Sequence, residues 1–270
     1  MKKRFIVSLS GGKDSMDTVL LALEHNEPLT DAVWCEVMFD KDISGEIPEH
    51  RDFMYSTVIP FLQREKIEFH IVRSHKTFVD LFQKVVGGDG QWAGKIWSWP
   101  LCGRCYANRD LKVRPIQRYL RSTFAGYDTT QYIGIANDEV ERLARLDGIK
   151  RISLMQKYGH SESCAVKNCK LCGMYSPVYQ FADRNGCFFC PNAKPEELRH
   201  LYDHHPDLWA RLLALQALPN KATELFNRTE RFCDIDARFR MDDAQIDLLG
   251  DQKAVPFDSE KIHEYGRMKY

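Results

Sequence analysis

The sequence has no excess of charge of either sign, because 38 Lys and Arg residues balance 38 Asp and Glu residues over 270 positions. This balance excludes an overall attraction to nucleic acids or anionic membranes, although it is compatible with a local basic patch. No apolar run approaches the roughly 18 residues of a membrane span. The first apolar run breaks at Ser8 and Ser10, too early for a secretory signal. We therefore expect a cytoplasmic protein with no membrane partner.

The chain also lacks internal repeats, while its 44% hydrophobic content is high enough to bury a core. Short apolar runs alternate with stretches of helical period in the first half, which is typical of βαβ units around a parallel sheet. Predicted strands cover residues 5–9, 32–39, 67–72 and 131–135, and predicted helices cover residues 16–23, 54–62, 78–85, 110–124, 196–203 and 207–218. Pro60 is expected to kink its helix or to lie near a helix boundary. The charged tail from Pro219 carries no structural prediction.

The first predicted strand runs into a loop whose composition suits a phosphate group. The loop matches neither G-x-x-x-x-G-K-[ST] nor G-x-G-x-x-G, so it is neither a Walker A loop nor a dinucleotide fingerprint. Its glycines let the backbone approach an anion, and the next helix adds partial positive charge at its N-terminus. Lys13 supplies a full charge, and Asp14 fits beside phosphates if Mg²⁺ bridges them. The candidate binding residues are Ser8, Ser10, Gly11, Gly12, Lys13, Asp14 and Ser15.

Residues 10–15 resemble the S-G-G-x-D-S signature, the PP-loop, of the N-type ATP pyrophosphatases. The resemblance implies an adenine nucleotide alpha-hydrolase-like fold that binds ATP, or a related adenine nucleotide, together with Mg²⁺. Members of that superfamily cleave ATP between its α and β phosphates to adenylate a substrate. The protein positions the nucleotide and stabilises charge in such a reaction. Lys13 and Asp14 are the catalytic candidates within the loop.

Four further segments are similar, in order, to the phosphoadenosine phosphosulfate reductase-like family. They are V-M-F-D with G-E-I-P-E at 37–49, a cysteine followed by L-K-V-R-P at 105–115, I-G-I-A-N-D-E-x-x-R at 133–142 and R-N-G-C-F-F-C-P at 184–191. This resemblance implies catalytic roles for Lys112 and Arg142. The nucleotide contacts that it implies are Met38, Asp40, Gly134, Asp138 and Glu139.

The sequence departs from that family's pattern at two places. Ala136 replaces the first arginine of G-I-R-x-D-E, which leaves Lys112, Arg114 and Arg142 as anion contacts unless the first two are solvated helix charges. Sulfonucleotide reductases also carry a C-terminal E-C-G-[IL]-H segment, whereas this sequence reads E-Y-G-R-M there and has no cysteine after Cys233. Reduction of a sulfonucleotide is therefore expected to lack its nucleophile, since a lone cysteine such as Cys233 is more often structural.

Seven of the nine cysteines lie between residues 102 and 190, which predicts metal ligands rather than disulfides in a reducing compartment. C-x₂-C pairs at 169–172 and 187–190 have nearly the spacing of a zinc ribbon. The cysteines at 164, 169 and 172 also match the plant-type ferredoxin spacing, and a second site on those at 102, 105 and 164 stays open. The family resemblance instead implies a [4Fe–4S] cluster on the cysteines at 105, 169, 187 and 190. The candidate ligands of Zn²⁺ or a cluster are thus Cys105, Cys169, Cys172, Cys187 and Cys190.

Together these patterns predict an α/β fold with a parallel twisted sheet, helices on both faces, a cysteine-rich metal-binding insertion and a helical C-terminal part. The predicted parts are a nucleotide-binding domain at 1–155, the metal-binding segment at 156–195 and the helical region at 196–270. His204 and His205 are expected to end a helix before Pro206 rather than to bind a ligand.

The expected function is that of a PP-loop ATP pyrophosphatase that adenylates a substrate for sulfur transfer or nucleic-acid modification. One alternative is a sulfonucleotide reductase. The other is a metal-containing nucleic-acid-binding module that only senses nucleotide and shows salt-dependent affinity. Expected partners are an adenine nucleotide, a nucleic acid or sulfur donor, and a second copy of the chain in a homodimer.

Overall fold

The computed structural model of the protein describes residues 2–100, 105–146 and 150–252. The strands in these ranges are β1 (Lys3–Leu9), β2 (Asp31–Cys35), β3 (Met38–Asp40), β4 (Ile43–Ser44), β5 (Glu68–Val72), β6 (Asp128–Tyr132) and β7 (Arg151–Ile152). Five of them form one sheet in the order β5-β2-β1-β6-β7, in which every neighbouring pair is parallel. The strands β3 and β4 form a separate antiparallel pair.

The helices are α1 (Lys13–Glu24), α2 (Pro48–Phe53), α3 (Ile59–Arg64), α4 (Phe78–Phe82), α5 (Arg114–Thr123), α6 (Val140–Leu143), α7 (Leu154–Lys157), α8 (Glu162–Leu171), α9 (Pro195–His204), α10 (Pro206–Ala217) and α11 (Phe232–Gln252). π-helical turns at Met54–Val58 and Asn108–Val113 precede α3 and α5. Because proline lacks an amide proton, the wider turns let these helices continue through Pro60 and Pro115. Within the described ranges, no helix combines the length and the apolar character that crossing a bilayer requires.

The sheet places the loops after β1 and β6 side by side. β2 and β5 lie on one side of β1, and the later strands β6 and β7 lie on its other side. The direction in which successive strands are added therefore reverses between β1 and β6. α1 covers one face with α7 and α8, where Val7 and Leu9 are buried, and α5 covers the other face above Ile6. Ligands of open α/β sheets bind at the carboxyl ends of strands beside such a reversal. The predicted fold class is confirmed.

The predicted strand at 32–39 is wrong in its second half, because β2 ends at Cys35 and β3 begins at Met38. Glu36 interrupts the run: its buried carboxylate accepts hydrogen bonds from Arg51 at 3.0 Å and from Arg73 at 2.6 Å. A buried carboxylate requires such partners, and they lie off the sheet. The strand at 32–39 was predicted from the apolar residues around Glu36, and the sequence does not show that Glu36 is paired with distant arginines.

No helix is predicted from the sequence within the cysteine-rich segment at 156–195, yet the structure has α8 there. Ser161 caps α8 by accepting the amide proton of Cys164, and the helix buries Ala165 and Cys169 one turn apart against α1. Because only two apolar positions face the core, the helical period is weak in the sequence. The cysteine-rich segment therefore begins as part of the sheet domain's helical layer.

The charged tail after Pro219 contains α11, which carries no prediction from the sequence. Phe232, Ile235 and Phe239 are buried on one side of it, with a spacing of three and four residues. The ring of Phe232 lies 4.3 Å from that of Trp209 in α10. Few residues of α11 are apolar, and charged residues lie between them. The helical period of the apolar positions is therefore hard to recognise in the sequence. The predicted helices at 196–203 and 207–218 are confirmed as α9 and α10.

Candidate nucleotide site

The loop at residues 10–12 joins β1 to α1 at the carboxyl end of the sheet, beside the reversal in strand order. Gly11 has a φ of +72°, which side chains disfavour, and a Cβ atom there would lie 2.2 Å from Met54 Sδ. A Cβ atom on Gly12 would lie 2.6 Å from Asn185 Oδ1. Both positions therefore require glycine for the loop to pack as it does.

Serine hydroxyls hold the shape of this loop. Ser15 Oγ accepts the amide proton of Ser10 at 3.1 Å and donates to the Gly12 carbonyl at 3.0 Å. Ser10 Oγ accepts the amide proton of Gly12 at 3.3 Å. The backbone thus turns at the N-terminus of α1, where amide groups bind anions. Ser8 lies apart from the turn and lines a cavity of about 340 Å³ beside α5.

The loop after β6 packs directly on the first loop. A Cβ atom on Gly134 would lie 2.7 Å from the carbonyl carbon of Asp14 and 2.8 Å from Ser15 N. No larger residue fits there without moving one of the two backbones. The structure therefore brings two separately predicted segments into contact.

The predicted acidic and basic residues of this second loop and of α6 make two separate sets of contacts. Asp138 accepts the amide proton of Glu162 at 3.3 Å, which joins the loop to the start of α8. Glu139 accepts the amide proton of Ala136 at 3.1 Å and forms an ion pair with Arg142. Arg142 thus has a carboxylate partner, although Ala136 replaces the arginine of the family pattern.

Asp14 combines burial with an unsatisfied oxygen. Its Oδ1 atom is buried without a hydrogen-bond partner among the described residues, and its Oδ2 atom lies 3.7 Å from Lys13 Nζ. Burial raises the pKa of Asp14 above its ordinary value, in spite of the nearby Lys13. A buried oxygen of this kind is costly unless a cation binds it. Because Mg²⁺ prefers carboxylate and phosphate oxygens, the residues present fit the predicted ion.

Lys13 is held at the entrance of the same turn. Its Nζ atom lies 2.7 Å from Glu162 Oε1 and 5.8 Å from the centre of the Tyr179 ring. Burial lowers the pKa of Lys13, but its hydrogen bond to Glu162 and the charge of Asp14 outweigh burial, so the pKa is raised. Lys13 is therefore a permanent positive charge at neutral pH.

Two residues of the cysteine-rich segment cover the loop, and the sequence patterns did not single them out. Tyr179 accepts the amide proton of Lys13 at 3.0 Å, and its ring stacks on Tyr175 at 4.7 Å. Asn185 Nδ2 donates to the Ser10 carbonyl at 2.8 Å. Asn185 lies within the R-N-G-C stretch, which was assigned to the cysteines alone.

His50 supports the loop from α2. Its Nε2 atom donates to the Ser10 carbonyl at 2.9 Å, which leaves Nδ1 to accept from the Ser176 hydroxyl at 2.9 Å. Burial lowers the pKa of His50 to about 4, so the ring is neutral at physiological pH. His50 directly follows the G-E-I-P-E stretch. Its position next to that motif is the only sequence feature that could have indicated its contact with the loop.

The two basic residues before and at the start of α5 have different surroundings. Lys112 is half-buried, and its charge opposes the rise that burial causes in the pKa of Glu46. Arg114 is exposed and forms an ion pair with Asp110 at 2.6 Å. Lys112 therefore lies close to buried groups, whereas Arg114 fits the description of a solvated helix charge.

The second-strand candidates lie on the antiparallel pair rather than in the main sheet. Met38 and Asp40 are half-buried at the two ends of β3, and Asp40 Oδ1 accepts the amide proton of Lys41 at 2.8 Å. Met38 pairs with Ser44 of β4. Their contact with a nucleotide stays a prediction.

The predicted cysteine ligands fall into two groups. The first lies on α8 and just after it, beside the nucleotide loop. Cys169 is buried in the sheet core and its thiol donates to the Lys13 carbonyl at 3.3 Å, whereas Cys172 is exposed. Burial raises the pKa of Cys169 to about 12, so its thiol is neutral in this structure.

The second group lies against the helical C-terminal core. Cys105 and Cys187 pack there, and Cys190 follows Cys187 by three residues. Burial raises the pKa of Cys187 well above its ordinary value. Arg184 Nη2 donates to Cys190 Sγ at 3.2 Å. The choice of four ligands stays a prediction, and Cys102, named for a second site, lies outside the described residues.

No protein-family model matches the chain, and no curated protein matches it significantly. Among solved structures, the chain is similar to the U34-tRNA thiolase NcsA from Methanococcus maripaludis with its [4Fe-4S] cluster, at 16% sequence identity. The alignment covers 88% of this chain and 80% of the thiolase, with a TM-score of 0.39. A likeness this weak establishes neither a shared fold nor a shared activity, so nothing about the thiolase's substrate or cluster is transferred to this chain.

Proposed function

We propose that this chain is a PP-loop ATP pyrophosphatase, related to the phosphoadenosine phosphosulfate reductase-like family, that adenylates a nucleic-acid acceptor. The observation that carries the proposal is Asp14 Oδ1 in the first turn of α1, which is buried and has no hydrogen-bond partner among the residues that the structure describes. Phosphate oxygens accept the amide protons of such a turn, and a divalent cation bound to phosphate completes the contacts of the carboxylate. Sulfur transfer to the adenylated position is the proposed purpose.

In the proposed reaction, an oxygen of the acceptor attacks the α-phosphorus of ATP, and pyrophosphate leaves with the bridging oxygen. Mg²⁺, when bound, neutralises part of the phosphate charge. Lys13 and the loop amides stabilise the charge that develops on pyrophosphate, and Arg142 adds a second positive charge from α6. A sulfur nucleophile supplied by a donor then displaces AMP from the acceptor. Tyr179 holds the Lys13 amide in the free protein and yields it to phosphate.

A groove beside α5 supports the choice of a nucleic-acid acceptor. Two cavities of about 340 and 540 Å³ share Gln117 and Arg121, and Ser8 lines the first of them. Arg118 and Arg121 are exposed and make no ion pair with any residue that the structure describes, unlike Arg114. Unpaired arginines beside a groove attract the phosphates of a nucleic-acid strand. The neutral chain thus has the local basic patch that its composition allowed.

The second cysteine group supports a metal centre beside this site. Cys105 and Cys187 pack against the same apolar core, Cys190 follows Cys187 by three residues, and thiolates bind Zn²⁺ and iron–sulfur clusters. The guanidinium group of Arg184 stabilises negative charge on Cys190. Zinc or a [4Fe–4S] cluster held there would fix the segment that carries Asn185, and through it the nucleotide loop.

The proposal is tested on the full chain, purified without oxygen, by metal analysis, by visible absorbance and by release of AMP and pyrophosphate from ATP. We expect turnover that requires Mg²⁺ and rises with an RNA or DNA acceptor. No release of either product with any nucleic acid would overturn the proposal. Nucleic-acid binding without turnover would identify the sensing module, and reduction of a sulfonucleotide would identify the reductase.

A further inference from the structure

Three side chains from distant parts of the sequence converge outside the nucleotide loop. Glu49 Oε1 lies 2.7 Å from Nε2 of His200 and 2.9 Å from Nε2 of His205. One residue belongs to α2, one to α9 and one to the junction between α9 and α10. We propose that these three residues bind a divalent transition-metal cation of the zinc class. The site is separate from the proposed function and does not depend on it.

The hydrogen bonds of this group are unevenly distributed. Both imidazole groups donate to Glu49 Oε1, while Oε2 is buried without a hydrogen-bond partner among the described residues. A hydrogen-bonded bridge alone would leave that oxygen desolvated, which is unfavourable. A cation bound to the two Nε2 atoms, whose protons then move to Nδ1 of each ring, attracts the whole carboxylate and removes this cost. Two histidines and one carboxylate form a well-known ligand set for Zn²⁺.

The geometry suits such an ion after a small adjustment. Ligand bonds of about 2.0–2.2 Å in a tetrahedral arrangement separate ligand atoms by roughly 3.3–3.5 Å. The two nitrogen–oxygen distances of 2.7 and 2.9 Å therefore need to widen by roughly 0.5 Å, which side-chain rotation supplies. The His200 ring is stacked on Phe181 at 3.5 Å and is thereby held in place.

The two histidines of the group border a space with room for one water molecule. A cavity of about 10 Å³ lies against His200 and His205, and Glu197 and Cys187 also line it. A volume of this size holds one water. Three protein ligands and one water are the arrangement of zinc sites that keep an open position.

A cation here would connect two parts of the molecule that otherwise meet through apolar packing. His200 and His205 belong to the C-terminal helices, whereas Glu49 precedes His50, whose ring supports the Ser10 carbonyl of the nucleotide loop. The bound ion would therefore fix α2 against α9. Its removal should loosen the C-terminal helices before it affects the sheet.

The test is a Co²⁺ titration of the full chain after treatment with a chelator, under reducing, oxygen-free conditions. Co²⁺ on nitrogen and oxygen ligands gives weak visible bands, whereas Co²⁺ on thiolates adds intense charge-transfer bands. We expect one equivalent of the first kind, and a rise in melting temperature when Zn²⁺ is added. H200N and H205N should each weaken this site about tenfold or more while the thiolate bands stay unchanged.

The matched control is H25N, because His25 is an exposed histidine that stacks on Tyr158 and lies outside the group. It should bind cobalt as the unsubstituted chain does. Circular dichroism checks that each variant is folded; if H200N does not fold, the conservative variant E49Q replaces it. Equal cobalt stoichiometry and spectra for the unsubstituted chain and a folded site variant would overturn the proposal. So would a melting temperature of the unsubstituted chain that does not change with Zn²⁺.

Discussion

Asp14 and Glu49 each bury one carboxylate oxygen that has no hydrogen-bond partner among the described residues, yet their surroundings differ. Burial raises the pKa of Asp14, and Lys13 does not cancel the rise. Burial also raises the pKa of Glu49, but the hydrogen bonds from His200 and His205 outweigh it, so the pKa is lowered. Asp14 thus has a charge that the free protein does not balance, whereas Glu49 has a charge that its neighbours already stabilise. The first arrangement suits a substrate-borne cation, and the second suits a permanent contact.

The largest expected effect separates the two carboxylates by activity. D14N removes the charge that holds the cation at the phosphates, so pyrophosphate release should fall by at least about 100-fold. E49Q leaves the nucleotide loop intact, and its rate should fall by less than about tenfold. Steady-state release of pyrophosphate measures both. Equal losses would show that the two carboxylates serve one site.

The next effect concerns the packing around Asp14 and leaves Glu49 untouched. G134A places a Cβ atom 2.7 Å from the Asp14 carbonyl carbon, so the two loops must separate. We expect ATP to bind about 10- to 100-fold more weakly, since a misplaced loop costs about 1–3 kcal/mol. Equilibrium binding of ATP with Mg²⁺ measures the change.

G90A is the control for that substitution, because nothing lies within 4 Å of a Cβ atom at Gly90 and its φ is not positive. It should bind ATP as the unsubstituted chain does. An affinity of G134A equal to that of G90A would show that the contact between the loops does not position Asp14.

A smaller effect tests whether the groove serves the Asp14 site. Replacing Arg118 and Arg121 with glutamine removes two charges that have no described partner, so affinity for a single-stranded oligonucleotide should fall about tenfold. The slope of log affinity against log salt should fall by about two. Fluorescence anisotropy measures both. R64Q, on the exposed end of α3, is the matched control, and an equal loss in that variant would contradict a specific groove.

The smallest expected effect is a difference between Asp14 and Glu49 in how each carboxylate contributes to the free energy of unfolding. A carboxyl group whose pKa is raised on folding binds its proton more tightly in the folded state, so its charge destabilises the protein as pH rises through that pKa. D14N without ligand should therefore be more stable at neutral pH, by about 1 kcal/mol. Glu49 has the opposite sign: its contribution is present above its unfolded pKa and is lost as pH falls.

E49Q should accordingly be less stable at neutral pH by about 1–2 kcal/mol, and the difference from the unsubstituted chain should shrink in acid. Urea unfolding without added metal measures both variants. Shifts of the same sign at neutral pH would contradict the assignment of opposite environments to Asp14 and Glu49.

The sequence was sufficient for the parts of the molecule whose causes are local. A buried strand, two glycines and a helix start follow one another without interruption at residues 5–16, so β1, the turn after it and the start of α1 could be predicted directly. The loop after β6 was also identified, and the strand order explains why it lies beside the first. The same locality predicted α9, which ends at His204 before Pro206.

The parts that could not be predicted depend on contacts between distant residues. Tyr179 and Asn185 reach the loop from more than 160 positions away in the sequence. Glu49 meets His200 and His205 from 151 and 156 positions away, and neither histidine has a local pattern that marks it as a partner. Helix α11 was missed for a different reason, because its apolar positions are few and lie among charges.

The zero net charge of the chain and the arginines of its groove together determine how a polyanion meets it. A neutral molecule has no overall pull toward a nucleic acid, so in the proposed function only the local positive charge of the groove would attract one. A strand that passes nearby exerts a torque on the protein before it exerts a net attraction. Ions screen this field over about 8 Å at physiological salt. The protein is therefore turned only when the strand is within about that distance of the groove. In the proposed function, this arrangement would select orientation at contact and leave the protein unattached to nucleic acid at longer range.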